Sequence, residues 1–354
     1  LDRSLLLPAL KNIATRLRID SLRSTSEAGS GHPTSCCSAA DIMAALFFAE
    51  MRFDPRDPSL ADSDRFVLSK GHAAPILYAA WAEAGAFDRE DLLSLRRLDS
   101  DLEGHPTPRL PFVDVATGSL GQGICAAVGS ALNARRIQSD YRTYVLLGDG
   151  ESAEGSVWEA ADVAVMDKLD NLCGITDVNA LGQSRATMWR HDMEEFRRRW
   201  SAFGWHAIVV DGHDMSALLD ACAEARATKG RPTMILARTI KGKGVSFVEG
   251  KDGWHGRAFK KGEELDGALA ELQQQLETVP AGVDLTREIP KPTVRSRPAG
   301  KVEAPAQPSY KLGDEVATRE AYGPASVKLG QVDSRVVALD ADVKNSTFSE
   351  AFEK

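Results

Sequence analysis

Apolar residues recur at helical spacing near the start of the chain, with Leu6, Leu10, Ile13 and Leu17 on one stripe, and the pattern stops near Gly29. This predicts an amphipathic helix over Leu5–Ser26. After the loop GSGHPTS a second helical run is expected over Ala40–Phe53. The period then shortens. RFVLS (65–69), TYVLLGDG (143–150), NLCGITDVN (171–179), HAIVVDG (206–212) and TMILARTI (233–240) are short runs rich in Val, Ile and Leu. Between them, AAPILYAAWAEAG, GSVWEAADVAVMDKL and MSALLDACAEA repeat at helical spacing. Short apolar strands alternating with amphipathic helices predict an α/β fold, a doubly wound parallel sheet with helices on both faces. Such sheets bind ligands beyond the C-terminal ends of their strands. Here those ends carry SKGH, GDG, DVN and KGKG.

The alternation breaks near residue 279. Six of the sixteen prolines fall between Pro280 and Pro308, among few large apolar residues. The chain is therefore expected to comprise a first domain over 1–278, an extended linker over 279–312, and the start of a second α/β domain over 313–354. In that last segment Asp314–Gly330 predicts a helix interrupted at Pro324, and RVVALDADV a strand. The chain starts at Leu1 within a helical pattern and stops at Lys354 within the charged run SEAFEK, so both ends are expected to be cut from a longer sequence.

Composition narrows the choices. With 354 residues, 43% of them hydrophobic and 27% charged, the chain reads as ordinary globular protein. A formal net charge of −8 argues against nucleic acid as the main partner but not against small anions, which local basic pockets bind. Cys36, Cys37, Cys125, Cys173 and Cys222 are odd in number and lack C-x-x-C spacing, which suits thiols in a reducing compartment. The apolar run Ile42–Met51 is too short to span a bilayer, and no signal peptide is visible. The expectation is a cytoplasmic protein with no membrane partner.

GDG at 148–150 alone indicates only a tight turn. Its value rises because Asn179 stands at the end of the next strand, so a carboxylate and an amide oxygen are expected on one rim. Two hard oxygen donors leave an octahedral Mg²⁺ or Ca²⁺ open to a backbone carbonyl, a water and phosphate oxygens. The loop ATGSLGQG precedes a helical stretch, and a helix N-terminus there could face an anion.

The pieces GSGHPTS, RFVLSKGHAAPILYA, DLEGHP, ATGSLGQG, LLGDGESAEGSVWEA, DVNALGQS, IKGKG and WHG, then PSYKLGDEVATREAYG and LDADVKNSTFSE, resemble the transketolase family in order and spacing, closest to its animal-type branch. The likeness runs from Leu5 to Lys354. It implies a diphosphate-binding domain followed by the opening of a pyrimidine-binding domain. The implied activity is thiamine-diphosphate-dependent transfer of a two-carbon ketol unit from a ketose phosphate to an aldose phosphate, in the pentose phosphate pathway. GSGHPTSCC, KGHAAPILYA and WHG favour this over other thiamine diphosphate enzymes. A non-catalytic transketolase-like cofactor-binding subunit is the alternative, and the intact cofactor loop favours catalysis.

Carried over position by position, the resemblance gives Asp149, Asn179 and the carbonyl of Leu181 to Mg²⁺ or Ca²⁺. Ser35, His72, Gly118, Ser119, Leu120, Gly150 and Lys241 go to the cofactor. His32, His255, Arg319 and Ser346 go to the sugar phosphate, and His105 to the donor hydroxyls. His32, His72, His105 and His255 are the implied catalytic group, since imidazole relays protons near neutral pH. His191, His206 and His213 match no functional position and read as structural or surface groups. Glu154 matches an acid of the dimer interface, and the implied partner is a second copy or a complementary C-terminal half. The family's glutamate for the aminopyrimidine ring is expected beyond Lys354, so this chain alone is expected to be incomplete.

Overall fold

Five parallel strands, β1 (Arg65–Leu68), β2 (Thr143–Gly148), β3 (Leu172–Val178), β4 (His206–Asp211) and β5 (Thr233–Arg238), lie in the order β1-β2-β3-β5-β4. The computed structural model describes residues 1–280, 282–295 and 303–353. Each strand alternates its side chains between two cores. Phe66, Leu68, Tyr144, Leu146, Cys173, Ile175, Ile235 and Ala237 pack on one face. Val67, Val145, Leu147, Leu172, Met234 and Leu236 pack on the other. Burial on both faces explains why β1, β2, β3 and β5 read as continuous apolar runs, whereas the edge strand β4 has no fully buried residue.

The first face is covered by α1 (Arg3–Ala28), α2 (Pro33–Ala45) and α3 (Ala74–Glu83), the second by α4 (Gln122–Arg136), α5 (Gly155–Met166) and α6 (Met193–Ala202). Helices α7 (Met215–Ala227) and α8 (Glu263–Gln273) complete the first unit. α1 is capped by the Asp2 carboxylate and ends at Gly29 in the left-handed conformation. Phe47 is fully buried, its ring 5.3–5.6 Å from those of Phe53, Phe66 and Trp81. Truncating it would cost about 3–5 kcal/mol.

The second helix differs from expectation. It starts at Pro33, inside the stretch read as loop, because proline is pre-organised for a first helical turn and His32 supplies the N-cap position. It ends at Ala45 and passes into a π-helical turn, Leu46–Glu50. All thirteen residues of α2 are buried, so tertiary packing sets its start.

The chain divides into two compact units, Leu1–Val294 and Arg295–Lys354, the break falling within the proline-rich stretch. Residues 296–302 of that stretch lie outside the described residues. In the second unit α9 (Thr318–Val332) runs through Pro324 without ending there, contrary to the expected interruption. RVVALDADV forms no strand among the described residues: Val337 and Leu339 are exposed, and no neighbouring strand supplies a ladder. Two short helical turns, Lys344–Thr347 and Glu350–Glu353, follow. No helix among the described residues is long and apolar enough to cross a membrane.

Candidate active site

Four adjacent strands deliver their C-terminal ends to one rim. β1 hands over to Ser69-Lys70-Gly71-His72, β2 to Asp149-Gly150-Glu151, β3 to Asn179, and β5 to Thr239-Ile240-Lys241. The start of α2 brings His32 and Ser35, and the loops before α4 bring His105, Gly118 and Leu120. All of these except Ser69, Gly71, Thr239 and Ile240 line, together with Leu181 and His255, a cleft of about 410 Å³.

The floor is charged and locked. Lys70 Nζ lies 2.6 Å from Asp177 Oδ2, and both side chains are almost wholly buried. Ser38 Oγ donates to the same oxygen at 2.6 Å, and Thr239 donates to Oδ1. Burial pushes the Asp177 carboxyl up, but the Lys70 ammonium and these hydrogen bonds outweigh it and hold the group below its ordinary value. Asn179 Nδ2 donates to Ser38 Oγ at 3.2 Å while its Oδ1 accepts from Leu181 N at 3.2 Å, which settles the amide orientation. Asp149 accepts from Gly150 N, from Ala180 N at 2.7 Å and from Thr187 Oγ1 at 3.0 Å. Burial, then the neighbouring Asp177, pushes Asp149 up to about 6. The hydrogen bonds and the Lys70 charge offset only part of that, so Asp149 remains short of positive charge.

Lys241 supplies some. Its ammonium donates to the carbonyl of Leu181 at 2.8 Å and to His255 Nδ1 at 2.7 Å. Burial, then the Lys70 charge, lowers it to about 8, so it stays protonated at neutral pH. The contact makes His255 Nδ1 an acceptor and leaves its proton on Nε2.

The wall is built from imidazoles. The ring of His32 lies 5.0 Å from that of His72 and 4.9 Å from that of His255, and His72 and His255 are 5.4 Å apart. Burial, then the Arg96 charge, lowers His32 to about 4, and burial with Lys241 lowers His255 to about 3. Burial and Lys70 hold His72 well below its ordinary value, and burial and Arg96 lower His105. All four are neutral at pH 7, each with one donor and one acceptor nitrogen. Gly118, at φ 138°, packs against the His105 ring, where an added Cβ would sit 2.7 Å from it. Only glycine combines that backbone with that approach. Two polar atoms in this wall are buried without partners, His32 Nδ1 and Ser35 Oγ.

Of the residues singled out from sequence, those of the first unit meet in this cleft with two exceptions. Ser119 is exposed and does not line it, and Glu154 is exposed near α4 and α5. Arg319 and Ser346 are exposed residues of the second unit. His191, His206 and His213 bond to Thr239 O, Glu224 and Asp41 respectively. The anion expected at the N-terminus of α4 is internal: Gly121 N donates to Glu151 Oε1 at 2.8 Å. Lys70, Asp177 and Glu151 were not anticipated. The available signal was a charged residue inside or just after an apolar strand, as in VLSK and ITDV.

No group of three His, Cys, Asp or Glu gathers as a metal cluster among the described residues. The donors present are a carboxylate, an amide oxygen and a carbonyl, a hard-oxygen set that suits Mg²⁺ or Ca²⁺. Cationic Lys241 already sits on that carbonyl.

A domain for thiamine diphosphate is the class this arrangement defines: the profile described as "Transketolase, thiamine diphosphate binding domain" matches residues 9–281, which contain the whole cleft. The chain belongs to the transketolase family. It is 51% identical to transketolase of Homo sapiens over 349 residues, covering 98% of this chain and 55% of the human protein. It is likewise 51% identical to transketolase-like protein 2 of Mus musculus over 98% of the chain and 55% of that protein. The fold matches Pichia stipitis transketolase, described as a complex with sedoheptulose-7-phosphate, with TM-score 0.83 and 27% identity over 97% of this chain and 57% of that one. The chain thus spans about half the length of the curated relatives it matches.

Proposed function

We propose that the chain carries the metal and diphosphate half of a transketolase site. The reaction is transfer of a two-carbon ketol unit from a ketose phosphate of the xylulose 5-phosphate type to an aldose phosphate of the ribose 5-phosphate type, within the pentose phosphate pathway of the cytoplasm. The observation that carries the reading is one cleft joining an undercompensated buried Asp149 and a fixed Asn179 amide to a wall of neutral histidines. Unpartnered Ser35 Oγ and His32 Nδ1 in the same cleft fit a polar ligand.

In this reading Asp149, Asn179 and the Leu181 carbonyl hold Mg²⁺ or Ca²⁺. Ser35, His72, Gly118, Leu120, Gly150 and Lys241, which line the cleft, hold thiamine diphosphate, and Ser119, the residue between Gly118 and Leu120, is kept as a cofactor residue only by the family resemblance. The cofactor, when bound, supplies the nucleophile and electron sink for cleaving a bond beside a carbonyl. The protein orients it and manages protons. His255, with its proton fixed on Nε2, donates to a sugar oxygen, and neutral His32 can accept or donate beside it. His105 meets donor hydroxyls, and the substrate phosphate falls to Arg319 and Ser346 on the family resemblance alone. Pichia stipitis transketolase structures described as complexes with sedoheptulose-7-phosphate and xylulose-5-phosphate support sugar phosphates as the class.

Calorimetric titration of thiamine diphosphate with Mg²⁺ and with a chelator tests the reading; absent or metal-independent binding rejects it. Ketol transfer from xylulose 5-phosphate to ribose 5-phosphate then separates an active enzyme from a non-catalytic transketolase-like subunit. The 354-residue chain is expected to bind the cofactor but to need a complementary C-terminal half, or the full-length homodimer, for turnover.

A further inference from the structure

Glu151 is 2% exposed, and among the described residues no cation forms an ion pair with it. Its carboxylate is instead satisfied by donors from three separate segments. Ser69 Oγ, just after β1, donates to Oε1. Gly121 N, at the start of α4, donates to the same oxygen at 2.8 Å. Gly148 N, at the end of β2, donates to Oε2 at 3.1 Å. Ser69 is itself pressed against α4, since a Cβ on Gly123 would lie 2.4 Å from its Oγ. Glu151 also lines the cleft, beside Asp149 and Gly150.

We infer that Glu151 is a positioning residue, an internal anion that holds the SKGH, GSLGQG and GDG segments in register so that Gly118, Leu120, His72 and Asp149 face one ligand. This rests on the proposed cofactor site. A carboxylate has acceptor capacity for all three donors and no donor of its own. An amide does not: Glu151→Gln keeps one oxygen for two of the donors but turns an NH₂ group toward the third. Two donors then face each other in a buried place, where an unmet donor is costly.

The test uses the full-length protein with saturating Mg²⁺ and reads thiamine diphosphate affinity by calorimetry, with amide hydrogen exchange of the cofactor-free protein alongside. Glu151→Gln is expected to weaken affinity on the order of tenfold to a hundredfold. Exchange at Gly121 and Gly148 should rise while protection of β2 and β3 stays unchanged. Ser69→Ala removes one donor and leaves the carboxylate in place, so it should give a smaller loss of the same kind, and it decides the matter should the Gln variant fail to fold. Wild-type affinity with unchanged exchange at Gly121 and Gly148 in either folded variant overturns the inference. Absence of binding in the wild type would reject the cofactor site itself, a distinct result.

Discussion

The floor and the wall of the cleft solve opposite problems. The floor carries formal charge in a buried place, and each charge there is held by opposite charge or by directed hydrogen bonds, as with Lys70 and Asp177. The wall carries groups that could be charged and keeps them neutral, with Nδ1 of His32 still unpartnered. A locked floor suits a permanent ligand, whereas a neutral wall with free nitrogens suits a reactant that changes during turnover. Separate perturbations should therefore have separate consequences.

The largest effect is expected at the floor. Asp149→Ala removes the carboxylate that accepts from Ala180 and Thr187, and with it the anionic member of the proposed metal set. Metal-dependent thiamine diphosphate binding should be lost in a calorimetric titration. Undiminished affinity would remove the assignment and the division between floor and wall together.

Next comes the buried pair behind it. Lys70→Met or Asp177→Asn alone leaves a charge without its partner at a site at most 1% exposed, and should cost about 3–5 kcal/mol in urea denaturation. The double variant should recover part of that loss. If either single change were silent, the floor would not be locked by this pair.

The wall should respond in rate. His32→Ala and His255→Ala are expected to lower ketol transfer roughly a hundredfold in the full-length enzyme, with cofactor affinity largely kept. Full turnover in either variant would end the substrate role of that histidine, and lost cofactor affinity would place it with the floor.

Much of this was legible from sequence because strand ends are. Asp149, Asn179 and Lys241 each follow an apolar run, and a parallel sheet must bring neighbouring ends together. What escaped was set by packing. Asp177 sits within β3 and reads as part of an apolar strand, since its partner Lys70 is supplied by another strand end. Glu151 escaped because its three donors come from segments far apart in the chain or from backbone N–H groups, which no sequence pattern marks. The start of α2 was hidden because GSGHPTS looks like a loop until Pro33 is seen beginning a fully buried helix. In the second unit the apolar run 335–343 suggested a strand, but a strand exists only where another pairs with it.

Lys241 joins floor to wall, and it gives the subtlest prediction. Its ammonium touches the Leu181 carbonyl on one side and His255 on the other, and burial lowers it to about 8. A bound diphosphate would favour the charged form and raise that value, because opposite charge stabilises the ammonium. By linkage, the ligand binds the protonated protein better. Affinity should then be greatest below pH 8 and fall as pH rises through about 8, by at most about tenfold per pH unit, as one proton per site requires. Lys241→Gln should weaken binding at pH 7 and flatten the profile. Lys241→Arg should keep the charge throughout, because guanidinium does not deprotonate in this range. Calorimetric titrations of thiamine diphosphate between pH 7 and 9.5, in all three proteins at fixed Mg²⁺, read these profiles directly. A wild-type profile as flat as that of the Gln variant would mean that Lys241 stays with Leu181 and His255 and serves the wall alone.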